Sequence, residues 1–182
     1  MRTSSSDETA RRTAFRGLLL CLALIFSYLE AQLPLAVIPV PGVKLGFANL
    51  VVSFAAYVCG MKTAAAVSLL RVCITSLLFG SPTTFWFSVT GAVFSLCILA
   101  LLLRIAPHAV SPLGVSVACA AAHNAGQLAA AAILLSPAVT AYLPVLLFAG
   151  MAMGTVTGLL LTVLLRAIPS SVREAFRRGT AP

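Results

Sequence analysis

"PTTFWFSVTGAVFSLCILALLL", residues 82–103, is an uncharged and mostly apolar run that is long enough to cross a lipid bilayer. The rest of the 182-residue chain has the same character, since 60% of its residues are hydrophobic and only 9% are charged. Soluble domains carry roughly 25% charged residues. The composition therefore predicts an all-α integral membrane protein.

Five further apolar runs cover residues 14–33, 46–59, 61–79, 112–135 and 140–165. We expect about six transmembrane helices in one domain, residues 14–168, between a mobile tail at 1–13 and a basic tail at 169–182. The run at 46–59 is short for a bilayer, so we expect it to gain length from the preceding loop or from Gly60 and Met61. The first run follows several arginines, as in a secretory signal, but no small-x-small cleavage site follows it, and we expect a retained helix.

The basic residues predict the orientation of the bundle. Ten of the twelve Lys and Arg residues lie in the two tails and in two loops on one side, and Lys44 and Arg71 are the exceptions. The positive-inside rule then places both termini in the cytoplasm of a multi-pass protein of the bacterial cytoplasmic membrane. Topology accounts for most of the net charge of +8, so we expect no nucleic acid partner. The arginine-rich ends favour anionic lipid headgroups, and we expect membrane lipids as partners.

Residues for catalysis are scarce in this sequence. Its acids are Asp7, Glu8, Glu30 and Glu174, and it has no carboxylate pair for Mg²⁺ and no phosphate-binding loop of the Walker type. The five cysteines are scattered singly, which predicts buried thiols that pack as small apolar residues and no metal site. We expect neither enzymatic activity nor a cofactor, and a transport process driven by ATP would need a partner protein.

A few polar residues lie in or next to the apolar runs, where a charged side chain costs about 3 kcal/mol at a helix centre. The candidate binding residues are Glu30, Lys44, Asn49, Arg71, His123, Asn124 and Gln127. The last three follow the spacing of one helical face in "AHNAGQ", residues 122–127. Lys44 lies in a loop rich in proline and glycine and would point into the bundle if that loop folds inward. We predict an externally open cavity that binds a small anionic or polar molecule.

A structural interpretation of the same residues remains open. Arg71 could pair with Glu30, and the amides could form hydrogen bonds between helices. One acid cannot neutralise both Lys44 and Arg71, however, which favours an anionic ligand. In the last helix, Gly150, Gly154 and Gly158 form small-xxx-small steps, which predict close packing on another helix of the bundle.

Three motifs taken together resemble a known family. They are "PGVKLGFANL" at residues 41–50, "RV" at 71–72 and "GVSVACAAAHNAGQ" at 114–127. In roughly residues 15–165 the chain resembles the Gx transporter family, often labelled heptaprenyl diphosphate synthase component I. That family is grouped with the substrate-binding S components of energy-coupling factor transporters.

The resemblance implies a six-helix S-component-like bundle with a ligand site open to the outside. Many S components dock to their transmembrane partner through A-x-x-x-A in the first helix, and Gly17 with Cys21 is a loose analogue. The first hypothesis is a substrate-binding component for uptake of a vitamin or cofactor precursor, working with an energy-coupling module. The alternative is a non-catalytic accessory subunit of polyprenyl diphosphate or quinone metabolism, with a prenyl synthase subunit and a lipid ligand as partners. A third hypothesis is a scaffold for a membrane redox system.

Overall fold

The computed structural model describes residues 5–32, 46–105, 109–169 and 176, and these parts are helical without strands. They contain α1 Ser5–Gln32, α2 Ala48–Cys59, α3 Met61–Phe79, α4 Pro82–Ile105, α5 Pro112–Leu134 and α6 Leu143–Ala167. A short 3-10 helix, Pro137–Tyr142, leads directly into α6. The predicted all-α membrane fold is confirmed.

Five of the described helices are long and apolar enough to cross a bilayer, but α2 is not. It has 12 residues, which rise about 18 Å, whereas the hydrocarbon core is about 30 Å thick. Of the two expected extensions, the one through Gly60 and Met61 is wrong, and the preceding loop up to residue 45 lies outside the described residues. Gly60 has φ +90° and ψ 165°, a backbone conformation reached almost only by glycine, and Met61 already begins α3. Within the described chain, α2 is therefore a half-length helix joined to α3 by a sharp turn.

Helix α5 lies between α4 and α6, and its contacts with these two helices are the most extensive in the described bundle. Gly154 and Gly158 of α6 face it directly. A Cβ at Gly154 would lie 2.7 Å from Cα of Val117, and one at Gly158 would lie 2.8 Å from Cα of Leu113. Both separations are too short for real Cβ contacts, so α5 and α6 approach closely because these positions have no side chain.

Helix α1 begins before the expected membrane span. It starts at Ser5, so residues 5–13, which belong to the predicted tail at 1–13, are helical. One residue of the predicted basic tail also contacts this helix: the ring of Phe176 lies 4.7 Å from that of Phe15, centroid to centroid. Arg12 also donates to the carbonyl oxygen of Phe176 over 3.5 Å. The rest of that tail after Pro169 lies outside the described residues.

The outer faces of the helices are strongly apolar. Leu77 is 87% exposed and Ile133 is 84% exposed, and many other large hydrophobic side chains point outward. An exposed apolar surface of this extent fits contact with lipid. The expectation of buried thiols is correct for Cys119 and wrong for Cys21, Cys73 and Cys97, which lie on exposed faces.

Candidate functional site

A charged cluster connects α1 with α3 inside the bundle. Arg71 is only 4% exposed, and its Nη1 donates to Oγ of Ser27 over 3.1 Å. Glu30 is also buried, one helical turn after Ser27, and its carboxylate interacts electrostatically with the Arg71 guanidinium. Oε1 of Glu30 accepts the backbone N–H of Phe47. The acid therefore links α1 to the residue before α2, on the side of α1 that meets the arginine.

The helical rise explains why Ser27 and Arg71 meet at the same depth. Arg16 and Lys62 belong to the basic ends of α1 and α3. Ser27 follows Arg16 by 11 positions and Arg71 follows Lys62 by 9, which corresponds to about 16 and 13 Å along the two helices. Both side chains therefore lie well inside the apolar layer.

The guanidinium of Arg71 has hydrogen-bonding capacity left over. Its Nε and Nη2 are buried and have no hydrogen-bond partner among the described residues. Arginine carries five N–H donors, and a buried donor without an acceptor costs about 1–3 kcal/mol, more on a charged group. An acceptor such as water or an anionic group would relieve this cost.

A second polar cluster lies where α2, α5 and α6 meet. Asn49, Ser53, Ser116 and Thr157 surround a cavity of about 10 Å³, together with Gly46, Cys119 and Ala120. This volume suits roughly one water molecule. Nδ2 of Asn49 and Oγ of Ser116 are buried without a hydrogen-bond partner among the described residues. The cavity is therefore polar and very small.

The polar face of α5 divides between two neighbouring helices. The Gln127 amide nitrogen lies 3.1 Å from Nε2 of His123, and both side chains pack against Gly91 of α4, where an added Cβ would come within 2.8 Å of Gln127 and 2.9 Å of His123. Asn124 instead donates from Nδ2 to the carbonyl oxygen of Leu146 in α6 over 2.7 Å. Its hydrogen bond between helices agrees with the structural interpretation of this residue.

The structure brings the candidate residues together in three groups. Arg71 and Glu30 form one, Asn49 belongs to the small cavity, and His123 with Gln127 forms the third. Lys44 lies outside the described residues. Sequence reasoning missed Ser116 and Thr157, although Ser116 precedes Ala120 by four positions and so continues the polar face of α5.

No group of three or more His, Cys, Asp or Glu side chains that could hold a metal ion occurs in the described ranges.

Fold and buried polar residues together define a multi-pass helical membrane protein with hydrogen-bonding groups inside its bundle. Its family follows from the sequence comparison: the model of heptaprenyl diphosphate synthase component I matches residues 19–164, and the chain belongs to this family. No curated protein and no solved structure matches the chain.

Proposed function

We propose that this protein is a substrate-binding membrane component for uptake of a small anionic or polar molecule. One observation carries the proposal: the guanidinium of Arg71 is buried in an apolar bundle with two of its nitrogens, Nε and Nη2, lacking an acceptor among the described residues. A ligand with a carboxylate, phosphate or carbonyl group would supply that acceptor, and a charged donor forms stronger hydrogen bonds than a neutral one. Glu30 would hold the guanidinium in place.

Asn49 supports the same proposal, because its Nδ2 is a second buried donor without a described partner. His123, Asn124 and Gln127 already hydrogen-bond within the bundle, so in this proposal they contact the ligand by exchanging those bonds. Lys44 remains a predicted contributor of positive charge. The protein would act without catalysis, in the bacterial cytoplasmic membrane, and an energy-coupling module would be its partner.

A ligand larger than water requires the helices around the small cavity to separate. The contacts of α2 with α5 and α6 are much less extensive than those of α5 with α4 and α6. In the proposed cycle, α2 therefore moves while α4, α5 and α6 stay together, and the cavity beside Asn49 opens towards Arg71.

The first test is mass spectrometry of small molecules and lipids released from protein purified in mild detergent. Wild type is compared with Arg71→Ala and with Arg104→Ala, a control that removes an exposed arginine from the last turn of α4. A water-soluble compound present in wild type and Arg104→Ala but missing from folded Arg71→Ala is expected. Equal amounts in all three would contradict a role of Arg71 in binding.

The family match favours a second candidate function, a non-catalytic accessory subunit of polyprenyl diphosphate metabolism, because the family is described as component I of a heptaprenyl diphosphate synthase. This candidate predicts a polyprenyl diphosphate among the released molecules. It also predicts that a prenyl synthase subunit copurifies with the chain from its native membrane. A preparation that lacks both would contradict it.

A further inference from the structure

A groove about 470 Å³ in volume lies between α1 and α3, at the end of the bundle predicted to face the cytoplasm. It is separate from the buried polar groups described above. Arg16 and Lys62, both exposed, line it. Lys62 is the second residue of α3, directly after the turn at Gly60. The groove therefore has a positively charged end.

The lining of the groove changes from polar to apolar along the two helices. Arg16 and Lys62 lie at one end with Thr13 and Thr63, whereas Leu20, Val67 and Leu70 lie further into the apolar layer. Leu70 follows Lys62 by eight positions, or about 12 Å of helix. Headgroup and acyl chain of a membrane lipid follow one another in the same order along the bilayer normal.

Open space lies beside Gly17, which lines the groove. A Cβ at this position would meet nothing within 4 Å, in contrast to Gly154 and Gly158, whose missing side chains allow helix contact. The first helix is therefore not packed against another described helix at Gly17. The space beside it is available to an acyl chain.

We propose that this groove binds an anionic phospholipid of the cytoplasmic leaflet, with the phosphate group at Arg16 and Lys62 and one acyl chain along Leu20, Val67 and Leu70. Charge complementarity selects this occupant, because two cations next to an apolar channel suit a phosphate-bearing lipid. Basic pockets between transmembrane helices on the cytoplasmic side bind such headgroups. A zwitterionic lipid would gain less, since it carries no net negative charge.

The test is native mass spectrometry of purified protein titrated with phosphatidylglycerol or phosphatidylcholine. Four forms are compared: wild type, Arg16→Gln/Lys62→Gln, Gly17→Leu, and Arg104→Gln/Arg166→Gln. The last removes the same charge from exposed positions in the last turns of α4 and α6, outside the groove. Gly17→Leu keeps both cations and fills the groove with a side chain.

We expect wild type and the Arg104→Gln/Arg166→Gln control to bind phosphatidylglycerol equally and more tightly than phosphatidylcholine. Each groove cation contributes roughly fivefold, so the Arg16→Gln/Lys62→Gln variant should bind roughly 25-fold more weakly. Gly17→Leu should also lose tight binding. An equal loss in the control pair, full binding by Gly17→Leu, or no preference for phosphatidylglycerol would overturn the proposal.

Discussion

The hydroxyl oxygen of Ser27 accepts a hydrogen bond from Nη1 of Arg71. Loss of this bond should lower the stability of the protein. Ser27→Ala would remove an acceptor from a buried charged group and should destabilise the protein by about 1–3 kcal/mol. Ser88→Ala is a matched control, because Oγ of Ser88 is buried in α4 without a hydrogen-bond partner among the described residues. Removing that hydroxyl should be neutral or slightly stabilising.

Thermal unfolding of both variants in the same detergent checks this prediction. A lower midpoint for Ser27→Ala with an unchanged or higher midpoint for Ser88→Ala is expected. Equal shifts would show that the Ser27–Arg71 hydrogen bond adds no stability beyond the packing of a serine.

Single residues differed in how far their roles were predictable. A pairing of Glu30 with Arg71 was one open interpretation of the sequence, because they are the acid and the arginine among its intramembrane candidates. Both side chains are buried, and Arg71 donates to Ser27, one helical turn before Glu30. The partner of Asn124 could not be predicted, because it is a backbone carbonyl of α6. Every helix offers many such carbonyls, and the rotation of α5 against α6 selects one of them.

At the scale of the helices, the α5–α6 interface depends on positions without side chains. Gly154→Ala would bring a Cβ to 2.7 Å from Cα of Val117, so the two backbones would have to separate. We expect a loss of stability of about 1–3 kcal/mol, as in other overpacked cores. Gly17→Ala is the control, because its Cβ would meet nothing within 4 Å. It should stabilise α1 slightly, since alanine favours helix more than glycine does.

The measurement is thermal unfolding in detergent, together with the monodispersity of the purified variants. A Gly154→Ala protein as stable as wild type would mean that α5 and α6 can separate without cost. In that case the close approach of the two helices would not be needed for the fold.

The length of α2 shows where prediction of elements failed. Its apolar run was predicted correctly, but the expected extension through Gly60 and Met61 does not occur. Apolar runs on both sides of a glycine look continuous in sequence, whereas the backbone of Gly60 turns sharply at φ +90°. The conformation of one residue therefore decides whether one long helix or two shorter ones form.

At the scale of the whole molecule, the distribution of basic residues predicts the orientation in the membrane. With both termini in the cytoplasm, a green fluorescent protein fused after Pro182 should be fluorescent. Alkaline phosphatase fused after Ser81, between α3 and α4, should be active because that turn would face the outside. Alkaline phosphatase fused after Arg104 is the control and should be inactive. The opposite pattern of activities would show that the topology is inverted and that the Arg16–Lys62 groove faces the outer leaflet.

The membrane class, the helical fold and the positions of most helices follow from the sequence alone, and so does the family, because they depend on local composition and on motifs. Tertiary structure decided which polar groups meet. Arg71 hydrogen-bonds to Ser27 of α1, and Asn124 hydrogen-bonds to a backbone carbonyl of α6. His123 and Gln127 hydrogen-bond to each other beside α4. The first contact joins residues that are far apart in sequence. The other contacts divide the polar face of α5 between α4 and α6. They depend on the rotation and depth of each helix, which many weak packing contacts set together and no single motif encodes.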